Sequence, residues 1–116
     1  MIIEAKIIEY LNNNAAVPAY GEKPATPPKR FYVVERTGGS ETNCIRYAMI
    51  AVQSYAESMA DAAELNEELK TIMRDLDSLD CVASVRLNSD YNFTDTTEKK
   101  HRYQAAFDIR YYYTEE

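Results

Sequence analysis

The stretch that decides the fold is Cys44-Ile45-Arg46-Tyr47-Ala48-Met49-Ile50-Ala51-Val52-Gln53-Ser54-Tyr55. Its β-branched and aromatic residues are typical of a strand, and its length exceeds that of most strands. The middle of the stretch is largely apolar on both faces, which indicates a central strand covered on both sides. We therefore expect the rest of the chain to assemble around residues 44–55.

The residues before this strand supply its first neighbours. Phe31–Arg36 predicts a second strand, and Thr37-Gly38-Gly39-Ser40 predicts the turn of an antiparallel hairpin that joins the two. All four prolines fall within residues 17–30, which predicts an extended or looped segment with a short edge strand at Val17–Tyr20. Apolar residues recur at helical spacing in residues 2–13, which predicts a first helix.

The residues after it predict a long helix and a second hairpin. Residues 58–79 carry an apolar stripe at helical spacing, and Ser58 with Asp61 resembles a capping box. Residues 82–93 alternate, so that Leu87, Tyr91 and Phe93 are expected on one face. Residues 94–100 form a polar connection to a last strand over residues 103–113.

The order of these elements is α-β-β-β-α-β-β over a single domain, residues 1–116. Hairpins separated by a helix predict an α+β fold with a mostly antiparallel sheet of four to five strands. Both helices are expected on one face, leaving the polar face for water or a partner. The long helix should pack through Leu65, Leu69, Ile72 and Leu76 onto Val85, Leu87, Phe107 and Ile109.

Charge is distributed unevenly along the chain. The net charge is −6, and residues 57–80 hold eight acids against Lys70 and Arg74, whereas the remainder holds eleven acids and eleven bases. No basic stripe is present, so we expect no nucleic-acid binding of the kind that depends on one. The sequence contains no run of eighteen apolar residues, so we expect no membrane-spanning helix. Residues 1–6 do not resemble a signal peptide.

Few residues could perform chemistry. Cys44, Cys81 and His101 are too few and too scattered for a zinc site, so we predict no metal and no cofactor. The one candidate for nucleophilic catalysis is a thiol, Cys44 or Cys81, with His101 as its base. The alternative interpretation is structural, with His101 exposed and both thiols buried. Asp61, Glu64 and Glu68 lie at helical spacing and could hold a cation, although a solvated helix face is the favoured interpretation. We therefore predict no catalytic residues.

The run Tyr111-Tyr112-Tyr113 closes the last strand. On a strand, Tyr111 and Tyr113 point one way and Tyr112 the other. Tyrosine is enriched at protein interfaces because it combines a large contact area with a polar tip. The run therefore fits either an interface or a cover for the sheet core and edge.

Several segments together resemble a family of small proteins encoded in the tail-morphogenesis regions of phages and prophages of Gram-positive bacteria. The similarity covers nearly the whole chain and is carried by residues 35–43, 51–56, 62–66, 87–95 and 102–109. By element order the chain also resembles the wider group of tail terminator, or tail completion, proteins. None of the matching segments is a catalytic signature.

This resemblance implies a subunit of a homo-oligomeric ring, most simply a hexamer, that caps the tail tube and meets the head connector. It places the protein in the virion tail, after assembly in the cytoplasm of the bacterial host. Such a ring needs two different complementary patches on each subunit. The acidic helix, with Asp61, Glu64 and Glu68, and the basic positions Lys99, Lys100 and Arg102 are candidates for such a pair between copies. Apolar contacts are expected from Tyr112, Tyr113 and the proline-rich residues 17–30, and the further partners would be the tube protein and the head connector. The alternatives are a head–tail connector or neck component, and a small-molecule-binding α+β domain or enzyme.

Overall fold

A computed structural model describes residues 1–115 and confirms the α+β fold. The chain runs through α1 (Ile3–Asn14), β1 (Ala19–Tyr20), β2 (Phe31–Thr42), β3 (Ile45–Ala56), α2 (Met59–Arg74), a 3₁₀ turn (Leu76–Ser78), β4 (Val82–Asn92) and β5 (His101–Tyr112). The sheet has the order β1-β2-β3-β5-β4, and only the β1–β2 pair is parallel. The strand at residues 44–55 is therefore central, as expected.

The two faces of the sheet differ. Val34, Val52 and Ala105 lie in one cross-strand row on the face that both helices cover, which we call the helix face. Val33, Gln53 and Gln104 form the next row on the opposite face, which we call the open face. The main core lies between the helix face and the two helices. Burial of apolar side chains there stabilises both helices, which would be only marginally stable in isolation.

The long helix ends earlier than its apolar stripe predicts. Ser58 caps its start by accepting from the Asp61 N–H at 3.1 Å, as the capping pattern indicated. Its regular part stops at Arg74, and the prediction of a helix to residue 79 is wrong. Asp75, Asp77 and Ser78 have low helix propensity because their short polar side chains compete for backbone hydrogen bonds, so a regular helix is not favoured beyond Arg74. Leu76 is nevertheless fully buried, because the 3₁₀ turn returns it to the core.

The first hairpin turns later than predicted. Thr37–Thr42 continues β2 beyond a bulge between Arg36 and Gly38, so the prediction of a turn at residues 37–40 is wrong. The turn is the two-residue loop Asn43–Cys44, with φ angles of 52° and 67°. A tight hairpin needs two residues at positive φ, and neither glycine adopts one.

Cys44→Gly should stabilise the protein. A residue with a side chain in the left-handed region raises the free energy of the folded state by about 1–2 kcal/mol, and glycine avoids this strain. Glycine also gives the unfolded chain more conformational entropy, which cancels part of the gain. We expect a net gain of about 0.5–1 kcal/mol, measured as a higher urea midpoint at unchanged m-value. Asn43→Gly is the matched control and should gain less, because asparagine tolerates this region. A lower midpoint for Cys44→Gly would contradict the turn assignment.

The second hairpin contains two bulges, between Val82 and Ser84 and between Leu87 and Ser89. Each bulge adds one residue and reverses the alternation beyond it. Tyr91 therefore lies on the open face, where its hydroxyl accepts from Gln104 Nε2 at 2.7 Å. The prediction that Leu87, Tyr91 and Phe93 share one face is wrong. Leu87 keeps the helix face but is 46% exposed, since α2 lies mainly over β3 and β5.

Tyr32 makes stability sensitive to alkaline pH. It is 1% exposed on the helix face, and burial raises the pKa of its phenol, with a smaller contribution from Glu68. Above about pH 10 the phenol of the unfolded chain ionises while the folded chain keeps its proton. The folded state then binds more protons, so stability falls as pH rises.

Tyr32→Phe should therefore give a shallower loss of stability between about pH 9 and 11 than the parent protein shows. Urea unfolding at each pH measures it. Tyr91→Phe, which removes an exposed phenol, is the control and should leave the slope unchanged. Parallel slopes for the parent and Tyr32→Phe would contradict the prediction.

Candidate functional site

One end of the sheet carries a cluster of cations. At this end, which we call the basic end, β3 finishes at Ala56 opposite His101 of β5. A shallow cavity of about 220 Å³ opens there, and its floor is the stacked pair Phe31 and Tyr55, with ring centroids 4.6 Å apart. The cations on its walls are Lys23, Lys29, Lys99 and Lys100. Such a site suits an acidic surface with some apolar area.

The predicted acidic residues divide into two groups. Arg30 bonds Glu57 at 2.8 Å and lies 3.5 Å from Asp61, and this bond holds the pKa of Glu57 below its usual range. Asp61 is thus partly neutralised within the subunit. Glu64 and Glu68 lie exposed further along α2. These two carboxylates are consequently the better candidates for an external contact.

Arg102 joins a row of rings that crosses the open face. Its guanidinium lies 4.3 Å from the Phe93 ring centroid and donates from Nε to the Phe93 carbonyl at 2.7 Å. It also donates from Nη1 to the Tyr55 hydroxyl at 2.8 Å. The row continues through Phe31 to Tyr20, whose ring centroid is 6.0 Å from that of Phe31. Arg102 is therefore used within the subunit, where it holds β4 against β3.

Two further polar rows order the open face. Gln53 donates to Gln104 at 2.9 Å, and Gln104 donates to Tyr91. In the next polar row the Tyr47 hydroxyl donates to Asp108 Oδ1, and this bond raises the pKa of Tyr47. These side chains satisfy one another, so the open face presents an ordered polar surface.

The opposite end of the sheet is aromatic and apolar. At this end, which we call the tyrosine end, Tyr112 pairs with Ile45, and Tyr112 and Tyr113 are 47% and 46% exposed. Tyr111 is buried in the core, whereas Tyr113 lies beyond the end of β5, so the two do not share one environment. Arg46 lies 4.1 Å from the Tyr113 ring centroid. Eleven residues of β5 separate Tyr112 from His101, which places the two ends about 36 Å apart.

The structure thus separates the predicted contact residues into three places. Lys99 and Lys100 lie at the basic end, Tyr112 and Tyr113 at the tyrosine end, and Glu64 with Glu68 on α2. Lys23, Lys29 and the stacked pair Phe31 and Tyr55 at the basic end were not predicted from the sequence as contact residues. A proline-rich segment gives no periodicity to show which strand its lysines reach, so no local signal could have placed them.

The candidate pairing of a thiol with His101 does not form. Cys44 occupies the turn at the tyrosine end, and the Cys81 carbonyl accepts from the Tyr112 N–H at 2.8 Å at the same end. His101 lies at the basic end, about 36 Å of strand away. Proton transfer needs hydrogen-bond reach, so neither thiol can use this imidazole as a base.

The described residues, 1–115, offer no clear place for a metal ion. No three His, Cys, Asp or Glu side chains within that range come together so as to hold an ion. No helix in that range has the length and apolar character to span a membrane.

Comparisons with known proteins add nothing to this geometry: no family model matches the chain, and no curated protein does.

Proposed function

We propose that this protein is a tail terminator of a phage or prophage, a ring-forming subunit that caps the tail tube and joins it to the head connector. The resemblance described above motivates the role and implies six copies in the ring. The protein then resides in the virion tail after assembly in the bacterial cytoplasm.

The observation that best supports this proposal is the chemical difference between the two ends of the sheet. A ring between a tube and a connector has two rims, and each rim contacts a different protein. Lysines surround the basic end, whereas Tyr112 and Tyr113 are exposed at the other. If the strands run along the ring axis, each rim presents one of these surfaces.

Charge supports contacts at the basic end and apolar area supports those at the tyrosine end. Lys99 would steer an acidic partner, and Lys100, whose Nζ lies 3.2 Å from Glu98 Oε2, would contribute less, since electrostatic complementarity sets association rate and register. Individual exposed ion pairs contribute only about 0–1 kcal/mol, so rings such as Tyr112 must supply more of the affinity. Glu64 and Glu68 remain candidates for a contact with basic groups of a neighbouring copy.

Deleting the gene from its phage or prophage and imaging the tails tests the proposal. Tubes of uncontrolled length without heads are expected. Tubes of normal length without heads would instead favour the connector or neck role. Normal tails joined to heads would reject both roles.

Complementation with variants then separates the two rims. We expect Lys99→Glu with Lys100→Glu to impair one junction, and Tyr112→Ser with Tyr113→Ser to impair the other. One pair should give overlong tubes and the other should give tubes without heads. Arg74→Glu on α2, which lies beside Leu87 and away from both ends, is the charge-reversal control and should restore normal tails. Identical phenotypes for the two pairs would contradict the assignment of a separate partner to each end.

A further inference from the structure

Both outer edges of the sheet offer backbone for pairing. β1 covers β2 only as far as Tyr20 opposite Val33, and within residues 1–115 no strand pairs with the outer side of β2 beyond that point. The outer side of β4 is likewise unpaired across those residues. An uncovered edge presents rows of N–H and C=O groups that can bind another strand.

The regular parts of the two edges lie at the same level. Beyond its bulge β2 is regular over Gly38–Thr42, and between its bulges β4 is regular over Ser84–Leu87. Cross-strand register places Gly38 and Arg86 in one row, through Met49 and Asp108. The same counting places Gly39 level with Val85, and Ser40 level with Ser84.

The strand directions are also compatible. β2 and β5 run one way and β3 and β4 run the other, because each neighbouring pair among these four strands is antiparallel. A second copy with its strands pointing the same way would bring its β2 beside the β4 of the first copy as an antiparallel pair. Because the two edges share the same rows, this contact needs no shift along the strands.

We infer that copies of this chain join head to tail by pairing the β4 edge of one copy with the free β2 edge of the next. A heterologous contact closes into a ring when it involves rotation without translation, and it forms a filament otherwise. The inference rests on the proposed function for the ring, and it names the surface that closes it. A second copy is the occupant because the two edges match in level and direction over three shared rows.

The surroundings of the edges favour the same contact. Leu87 is 46% exposed on the helix face beside β4, so a neighbouring strand would cover it. On the β2 side, Gly38 and Gly39 carry no side chain that would contact an approaching strand, and the Arg36 guanidinium, which donates to the Gly38 carbonyl at 3.3 Å, would have to move aside. The bulges limit regular pairing to a few residues, and this restricts the register of any partner strand.

Disulfide trapping tests the pairing. In a background of Cys44→Ser and Cys81→Ser, one sample carries Ser40→Cys and a second carries Ser84→Cys. The inferred register brings these positions opposite each other across the interface, within the Cα separation that a disulfide spans. We expect a mixture of the two samples to form a cross-linked dimer on mild oxidation, and each sample alone to form none.

A mixture with Thr26→Cys replacing Ser40→Cys is the control and should not cross-link. Absence of the mixed dimer at the highest soluble concentration would overturn the inference. Dimers from the Ser84→Cys sample alone would also overturn it, because they would show two β4 edges meeting. If the mixed dimer forms but the deletion mutant makes normal tails, the edge contact stands and the proposed function fails. If the deletion mutant makes abnormal tails but the mixed dimer does not form, the proposed function stands and the inferred edge contact fails.

Discussion

Leu69→Ala should lower the free energy of unfolding by about 2–5 kcal/mol. Leu69 is fully buried at the centre of the contact between α2 and the helix face, in one cluster with Leu65, Met73 and Phe107. Alanine would remove the transfer energy of the side chain and leave a cavity that the surrounding strands could fill only in part. A domain of this size is stable by about 5–15 kcal/mol, so the loss would be a large fraction.

Urea unfolding at constant m-value measures the effect. Leu87→Ala is the matched control, because it deletes the same atoms from a residue that is 46% exposed. We expect it to cost less than about 1 kcal/mol in the isolated subunit, since surface substitutions have small effects. Equal losses for the two variants would contradict the position assigned to α2.

Arg102→Lys should destabilise the subunit by about 1–2 kcal/mol although it preserves the charge. Arg102 makes two directed hydrogen bonds and stacks on the Phe93 ring, and a lysine ammonium cannot reproduce this planar arrangement. Hydrogen bonds to charged groups contribute about 1.5–3 kcal/mol, and partial solvent exposure reduces that figure here.

Unfolding measurements and amide hydrogen exchange check this prediction together. The expected result is faster exchange at Phe93, whose N–H donates to the Arg102 carbonyl at 2.9 Å. Arg86→Lys, an exposed substitution of the same type on β4, is the control and should change neither measurement. If Arg102 acted only through its charge on a partner, Arg102→Lys would behave like Arg86→Lys.

The sequence predicts the class of fold because its strong signals agree. The apolar stretch at residues 44–55 and the stripe that includes Leu65 and Leu69 each show a clear period, and both elements occur. The edge strand of the proline-rich segment is present but covers only Ala19–Tyr20. The errors fall where a single residue controls the backbone.

Gly38 and Gly39 give the stronger turn signal in sequence, yet register places the turn at Asn43–Cys44. A bulge leaves no mark in composition, so the alternation of residues 82–93 predicts the wrong face for Tyr91. The candidate site is formed by residues that are far apart in the sequence. The pairing of β3 with β5 brings Lys29 and Lys99 to the same cavity, and it also brings Arg102 beside Tyr55, to which its guanidinium donates within the subunit.

The bulges of β4 also affect how this strand can change over evolution. Loss of the extra residue at position 88 would make Leu87–Phe107 and Ser89–Ala106 consecutive regular pairs, so Tyr91 would stay opposite Gln104 and Asp90 would stay near Lys70, now 3.3 Å away. A residue added between Ser89 and Asp90 would instead shift the later positions of β4 by one relative to β5, which would move Tyr91 to the side of the helices. A single deletion at the bulge therefore preserves the two surfaces of the hairpin, whereas an insertion in its paired part exchanges them. Length variation among homologous chains should accumulate in the connection at residues 94–100, where an added residue alters no cross-strand row.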